Sequence, residues 1–63
     1  MGKYICKYYD KDRNETGNSI EIMGSEKLSV AWDRIKKSAK VDDVYYNIFT
    51  PSGNRMSNRE MKL

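Results

Sequence analysis

The sequence predicts an α+β fold: a three- or four-stranded, mainly antiparallel sheet in ββαβ order, with one helix packed on one face. Three observations carry this. Two β-rich runs, 3–9 and 19–23, flank an entirely polar stretch. Apolar residues recur at spacings of three and four between 26 and 39. A third β-rich run fills 44–50, and each such element must bury one apolar face against another.

The first run, Lys-Tyr-Ile-Cys-Lys-Tyr-Tyr, is dominated by residues that suit a pleated, half-buried surface. Residues 10–18 are polar and turn-rich, and Thr16-Gly17-Asn18 offers the positive φ of a tight return. Ser-Ile-Glu-Ile-Met at 19–23 alternates and closes a β-hairpin. Gly24 breaks the chain, and Ser25 is the expected N-cap of a helix over 26–39. Leu28, Ala31, Trp32, Ile35 and Ala39 share one face of that helix. Glu26 in its first turn and Lys36, Lys37 and Lys40 at its end complement the helix dipole. The strand at 44–50 ends in a Pro51-Ser52-Gly53-Asn54 turn. Beyond it, residues 57–63 are expected to fray. The alternatives are a short fourth strand at Arg55-Met56 and a helical turn with capping-box spacing at 57–60. The expected core is Tyr4, Cys6, Ile20, Ile22, Leu28, Trp32, Ile35, Tyr46 and Ile48.

A chain of 63 residues holds one domain, and a domain of this size is marginally stable. Cys6 is the single cysteine and there is no histidine, so neither an internal disulfide nor a Cys/His zinc site is available. A lone cysteine fits a reducing, cytoplasmic setting. No run approaches the ~20 apolar residues that span a membrane, so no membrane partner is expected.

Enzymatic chemistry is not expected either. The commonest general acid–base residue is absent, and there is no phosphate-cradling glycine loop. Asp10-Lys11-Asp12 with Asn14 faintly resembles a calcium loop, but Glu15 stands where that loop needs glycine. Alternation places Cys6 between Tyr4 and Tyr8 on the core face, so it reads as a small buried hydrophobe. No catalytic residue, metal ligand or cofactor is assigned.

Function is therefore expected to lie in binding. One helix covers one face of the sheet. The other face collects Lys3, Ile5, Lys7 and Tyr9 from the first strand and Tyr45, Asn47 and Phe49 from the third. Lys3, Ile5, Lys7, Tyr9, Tyr45 and Phe49 form the candidate partner-binding set. Aromatics with lysines suit a protein interface, and they also suit stacked bases and phosphates of single-stranded RNA or DNA. The net charge of +3 comes from 12 basic and 9 acidic residues, with residues 1–24 neutral, which favours the protein partner over nucleic acid. A homodimer through a free sheet edge is a further option.

The layout resembles that of small phage-encoded inhibitors, among them anti-CRISPR proteins and inhibitors of host RNA polymerase. The matching stretches are a hairpin at 3–23, a helix at 25–40 and a strand at 44–50. The resemblance rests on size and element order and shares no motif, so it carries over no functional residue. It implies a stoichiometric inhibitor that contacts another protein.

Overall fold

The computed structural model describes residues 2–63. The chain forms β1 (Lys3–Tyr9), β2 (Glu15–Met23), α1 (Leu28–Ser38), β3 (Tyr45–Phe49) and β4 (Met61–Lys62). The four strands make one sheet in the order β2-β1-β3-β4, antiparallel at every junction. The α+β class and the single covering helix are as the sequence predicts. The helical connection carries the chain from β2 past β1, so β3 pairs with the far side of β1.

The hairpin turns earlier than its glycine suggests. Asp10 makes the turn: its Oδ1 accepts from the amides of Asp12 (2.9 Å) and Asn14 (3.0 Å), and Arg13 takes a positive φ of 65°. Gly17 sits inside β2 instead. Two steps along β1, Lys7 to Tyr9, face four along β2, Ser19 to Glu15. The surplus residues bulge, and the φ of +88° at Gly17 absorbs the bulge without a side-chain clash.

The helix is shorter than its apolar period. It starts at Leu28, with Lys27 at the N-cap and no side-chain cap, so Ser25 is not the cap and Glu26 lies outside the first turn. Glu26 is drawn away by other partners: its Oε1 accepts from the Met23 amide (3.2 Å) and from Arg34 Nη1 (2.7 Å). The Arg34 hydrogen bond holds the Glu26 carboxyl below its ordinary pKa. Lys36 and Lys37 do occupy the last turn, and Asp33 pairs with Lys37 one turn on at 3.0 Å.

The C-terminus is ordered against the sheet. Met61 and Lys62 pair with Tyr46 and Tyr45, and the Leu63 amide donates to Val44 O at 3.0 Å. Residues 57–63 therefore do not fray from Met61 onward, and β4 lies later than Arg55-Met56. Arg55 still makes an isolated bridge with Phe49, and the Met56 amide donates to Ile48 O at 2.8 Å.

Cys6, Tyr8, Ile22, Ala31, Ile35 and Tyr46 form the buried core, with Tyr4, Ile20 and Ile48 packed against it. The Tyr8 hydroxyl, cut off from water, donates to Ile35 O at 2.6 Å and so pins the helix to β1. Two expected core residues are misplaced. Leu28 is 74% exposed and Trp32 is 39% exposed. Leu28 opens the helix, and its side chain has no further turn to pack beneath. Trp32 leans on the core by one edge, its ring 5.5 Å from that of Tyr46 and nearly perpendicular to it.

Candidate binding surfaces

The register brings the sequence-predicted set together on the face away from the helix. Ile5 lies beside Phe49, Lys7 beside Asn47 and Tyr9 beside Tyr45. That face is not open, because the chain after β3 returns over it. Asn47 is fully buried, and its Nδ2 donates to Ser57 O at 3.2 Å. Tyr9 is only 7% exposed, and its phenol is pushed up by burial and then by Glu15 and Glu60. Tyr9 is therefore not available as an exposed anchor. The two remaining rings are occupied by cations: Arg13 lies 4.2 Å over Tyr45 and Lys7 Nζ lies 5.0 Å over Phe49.

These cations also have carboxylate partners. Lys3 pairs with Glu21 at 3.5 Å, Lys7 with Glu15 at 3.7 Å, and Glu60 takes both Arg13 at 3.7 Å and Arg55 at 3.9 Å. Glu15 and Glu21 share the parity of Ser19 along β2 and so reach this face. That signal becomes readable once β2 is extended back to Glu15.

The second surface was missed from sequence. Between the first turns of α1 and the ends of β1, β2 and β3 runs an apolar groove of about 230 Å³. Tyr4, Ile22 and Ile48 line its floor, and Leu28, Trp32 and Met56 stand at its sides. Met23 at 47% and Met56 at 59% exposure add to Leu28 and Trp32, so four large apolar side chains meet water around one depression. Isolated exposed apolar residues need no explanation, but a cluster around a groove does. Leu28 and Trp32 carried a signal in their helical spacing, which sequence reasoning assigned to the core.

The outer edge of β2 is partly closed beside this groove. Arg34 Nη2 donates to Glu21 O at 2.9 Å, and the Glu26 amide donates to Met23 O at 3.0 Å. A second copy adding to this edge would have to displace these contacts over residues 21–23.

The remaining chemistry-bearing groups have structural partners. The Asp43 carboxylate accepts from the Thr16 hydroxyl (2.6 Å), Asn18 Nδ2 (2.8 Å) and the Lys40 amide (2.7 Å). Asn18 Nδ2 also reaches Ser38 O at 3.0 Å, so Asp43 and Asn18 tie the helix end to β2. No cluster of three potential metal ligands occurs among the described residues, and no helix there is long and apolar enough to cross a membrane. Cys6 is fully buried, and burial pushes its thiol up to about 11, with Tyr8 lowering it by less and Asp43 adding to the rise. The native thiol should therefore resist an aromatic disulfide reagent at pH 8, where an unfolded cysteine, with pKa near ~8.5, reacts freely. Release of one equivalent of chromophore is expected only on adding denaturant; prompt reaction of the native protein would show Cys6 to be accessible.

No family model, no curated protein and no solved structure matches the chain.

Proposed function

We propose that this chain is a non-catalytic binding domain that acts on another protein, stoichiometrically, by seating part of it in the apolar groove beside α1. The observation that carries this is the exposure of Leu28, Trp32, Met23 and Met56 around one depression. A small domain with little core to spare leaves four large apolar side chains in water there, which costs solubility and gains no stability. Aromatic and methionine side chains of this kind fill the desolvated centre of protein interfaces.

The groove replaces the opposite sheet face as the favoured surface. On that face the rings are already covered by cations, and each of those cations already has a carboxylate. Phosphates would have to compete with Glu15, Glu21 and Glu60 for Lys7, Lys3, Arg13 and Arg55. This supports a protein partner over a nucleic acid.

Leu28 makes the test clean, because at 74% exposure it contributes little to folding. Leu28→Glu should melt close to wild type, as surface substitutions usually change stability by less than about 0.5 kcal/mol. The tagged wild-type chain is expected to capture a host protein that survives nuclease and moderate salt, and Leu28→Glu is expected to lose it. Capture that persists in Leu28→Glu, or that disappears with nuclease, would overturn the reading.

A further inference from the structure

We infer that the partner segment seated in the groove brings a side-chain N–H donor beside its apolar residues, to meet the Glu26 carboxylate, and no carboxylate of its own there. This rests on the groove reading above and adds the partner's chemistry to it. Glu26 is the only charged residue lining the groove. Its Oε1 is fully used, accepting from Arg34 Nη1 at 2.7 Å and from the Met23 amide at 3.2 Å. Its Oε2 is shielded from water and has no hydrogen-bond partner, and it is the one buried side-chain oxygen or nitrogen among the described residues left so. Elsewhere such groups are paired: the Tyr8 hydroxyl finds Ile35 O at 2.6 Å, and Asn47 Nδ2 finds Ser57 O at 3.2 Å. An unmade bond at a buried acceptor destabilises the free domain, and a partner that supplies the donor recovers that energy on binding. A carboxylate only accepts, so nothing but a donor satisfies Oε2. The last torsion of a glutamate side chain is broad, so Oε2 can adjust to a donor while the backbone stays in place. Arg34 already balances the Glu26 charge, so a neutral N–H serves. A carboxylate would set oxygen against oxygen, and a purely apolar side chain would seal Oε2 away unpaired.

Trp32 is the only tryptophan and lines the groove, so its emission reports occupancy directly. The probes are two tryptophan-free helical peptides of about four turns with the same leucine face, one flanked by glutamines and the other by glutamates. The two flanking side chains match in shape, but only glutamine donates. The domain's net charge of +3 attracts the glutamate peptide, so a preference for glutamine cannot come from long-range attraction. The glutamine peptide should shift Trp32 emission to the blue and bind roughly tenfold more tightly than the glutamate peptide. That preference should persist in added salt, which screens distant charges and leaves a short hydrogen bond in place. Glu26→Gln keeps an oxygen for Arg34 and the Met23 amide and turns Oε2 into an NH2, so in this variant the preference should shrink or reverse. A thermal melt checks that Glu26→Gln is folded, and the comparison on wild type stands without it. Equal binding of the two peptides to wild type, tighter binding of the glutamate peptide, or a preference unchanged in folded Glu26→Gln would overturn the donor assignment while leaving groove docking in place. If neither peptide moves Trp32 emission, or if the protein alone sediments as a dimer with Trp32 shielded, the inference is also wrong. Loss of partner capture in Leu28→Glu then decides separately whether the groove is a docking site.

Discussion

Ile35→Ala is expected to leave this domain barely folded at 25 °C. Ile35 is 1% exposed and sits at the centre of the helix–sheet contact, with Cys6, Tyr8, Ile22, Ala31 and Tyr46 in the same buried cluster. Removing its outer carbons takes away buried apolar area and leaves a cavity, which together cost about 2–5 kcal/mol. A domain of this length has roughly 3–9 kcal/mol in total. The hydrogen bond from the Tyr8 hydroxyl to Ile35 O fixes the helix over that cavity, so the site cannot easily collapse to fill it. A thermal melt should show a drop of about 8–40 °C, since each kcal/mol moves a domain of this size by about 4–8 °C. Trp32→Ala is the instructive comparison. Trp32 is the larger side chain, but at 39% exposure part of it is already in water, so its loss should cost about 2–3 kcal/mol. A melt in which Trp32→Ala proved the more damaging of the two would mean that the helix packs on Trp32 and not on Ile35.

That reversal marks where the sequence was legible. Strand period, helix period and element order read correctly because each is a local signal: alternation at 3–9, the three–four spacing at 28–35 and the aromatic run at 45–49. The helical stripe told which side of α1 is apolar, but not where the helix starts relative to the sheet. Two residues of difference at the N-terminus move Leu28 from the core to the rim of a groove. The start depended on Glu26, whose carboxylate is committed to Arg34 and the Met23 amide, and Arg34 is eight residues away. The candidate face failed in a similar way. Alternation placed Lys3, Ile5, Lys7, Tyr9, Tyr45 and Phe49 on one face, but Asn47 is bonded there by Ser57 and Tyr9 feels Glu60, both from the chain beyond β3. No periodicity announces that segment, because it is held by one bridge, backbone bonds and the Glu60 carboxylate.

The two sides of the sheet are thus finished differently. On the helix side the core is deep under the second half of α1 and thins toward Leu28, which leaves the groove. On the other side a stretch of chain without regular structure takes the place of a second layer, and charge pairs complete it. A small domain cannot bury every apolar side chain, so where the residual exposure falls is informative. Here Met23, Leu28, Trp32 and Met56 bring much of it to one groove beside the first turns of α1. The carboxylates Glu15, Glu21 and Glu60 are spent on the far face.

Asp43→Asn is expected to cost about 2–3 kcal/mol at pH 7 and to remove part of the protein's sensitivity to acid. Asp43 follows the helix and accepts three hydrogen bonds, from the Thr16 hydroxyl, Asn18 Nδ2 and the Lys40 amide. Through Thr16 and Asn18 it fastens the bulged start of β2 to the end of α1. Hydrogen bonds to a charged group are worth about 1.5–3 kcal/mol. Asparagine keeps the shape but turns one oxygen into an NH2 that faces donors, so at least one bond becomes a donor–donor clash. Burial alone would raise the Asp43 pKa, but the hydrogen bonds from Thr16, Lys40 and Asn18, with the Lys40 charge, outweigh it and hold the carboxyl below its ordinary value. The folded state thus binds this proton less readily than the unfolded chain does. The stabilisation is fully present above the unfolded pKa of about 3.9 and is lost as pH falls below it through the folded value. Urea midpoints between pH 2 and 7 should show wild type well above Asp43→Asn at neutral pH, with the two curves converging below about pH 4. A gap that stays constant across that range would mean that the charge on Asp43 does not carry its contribution.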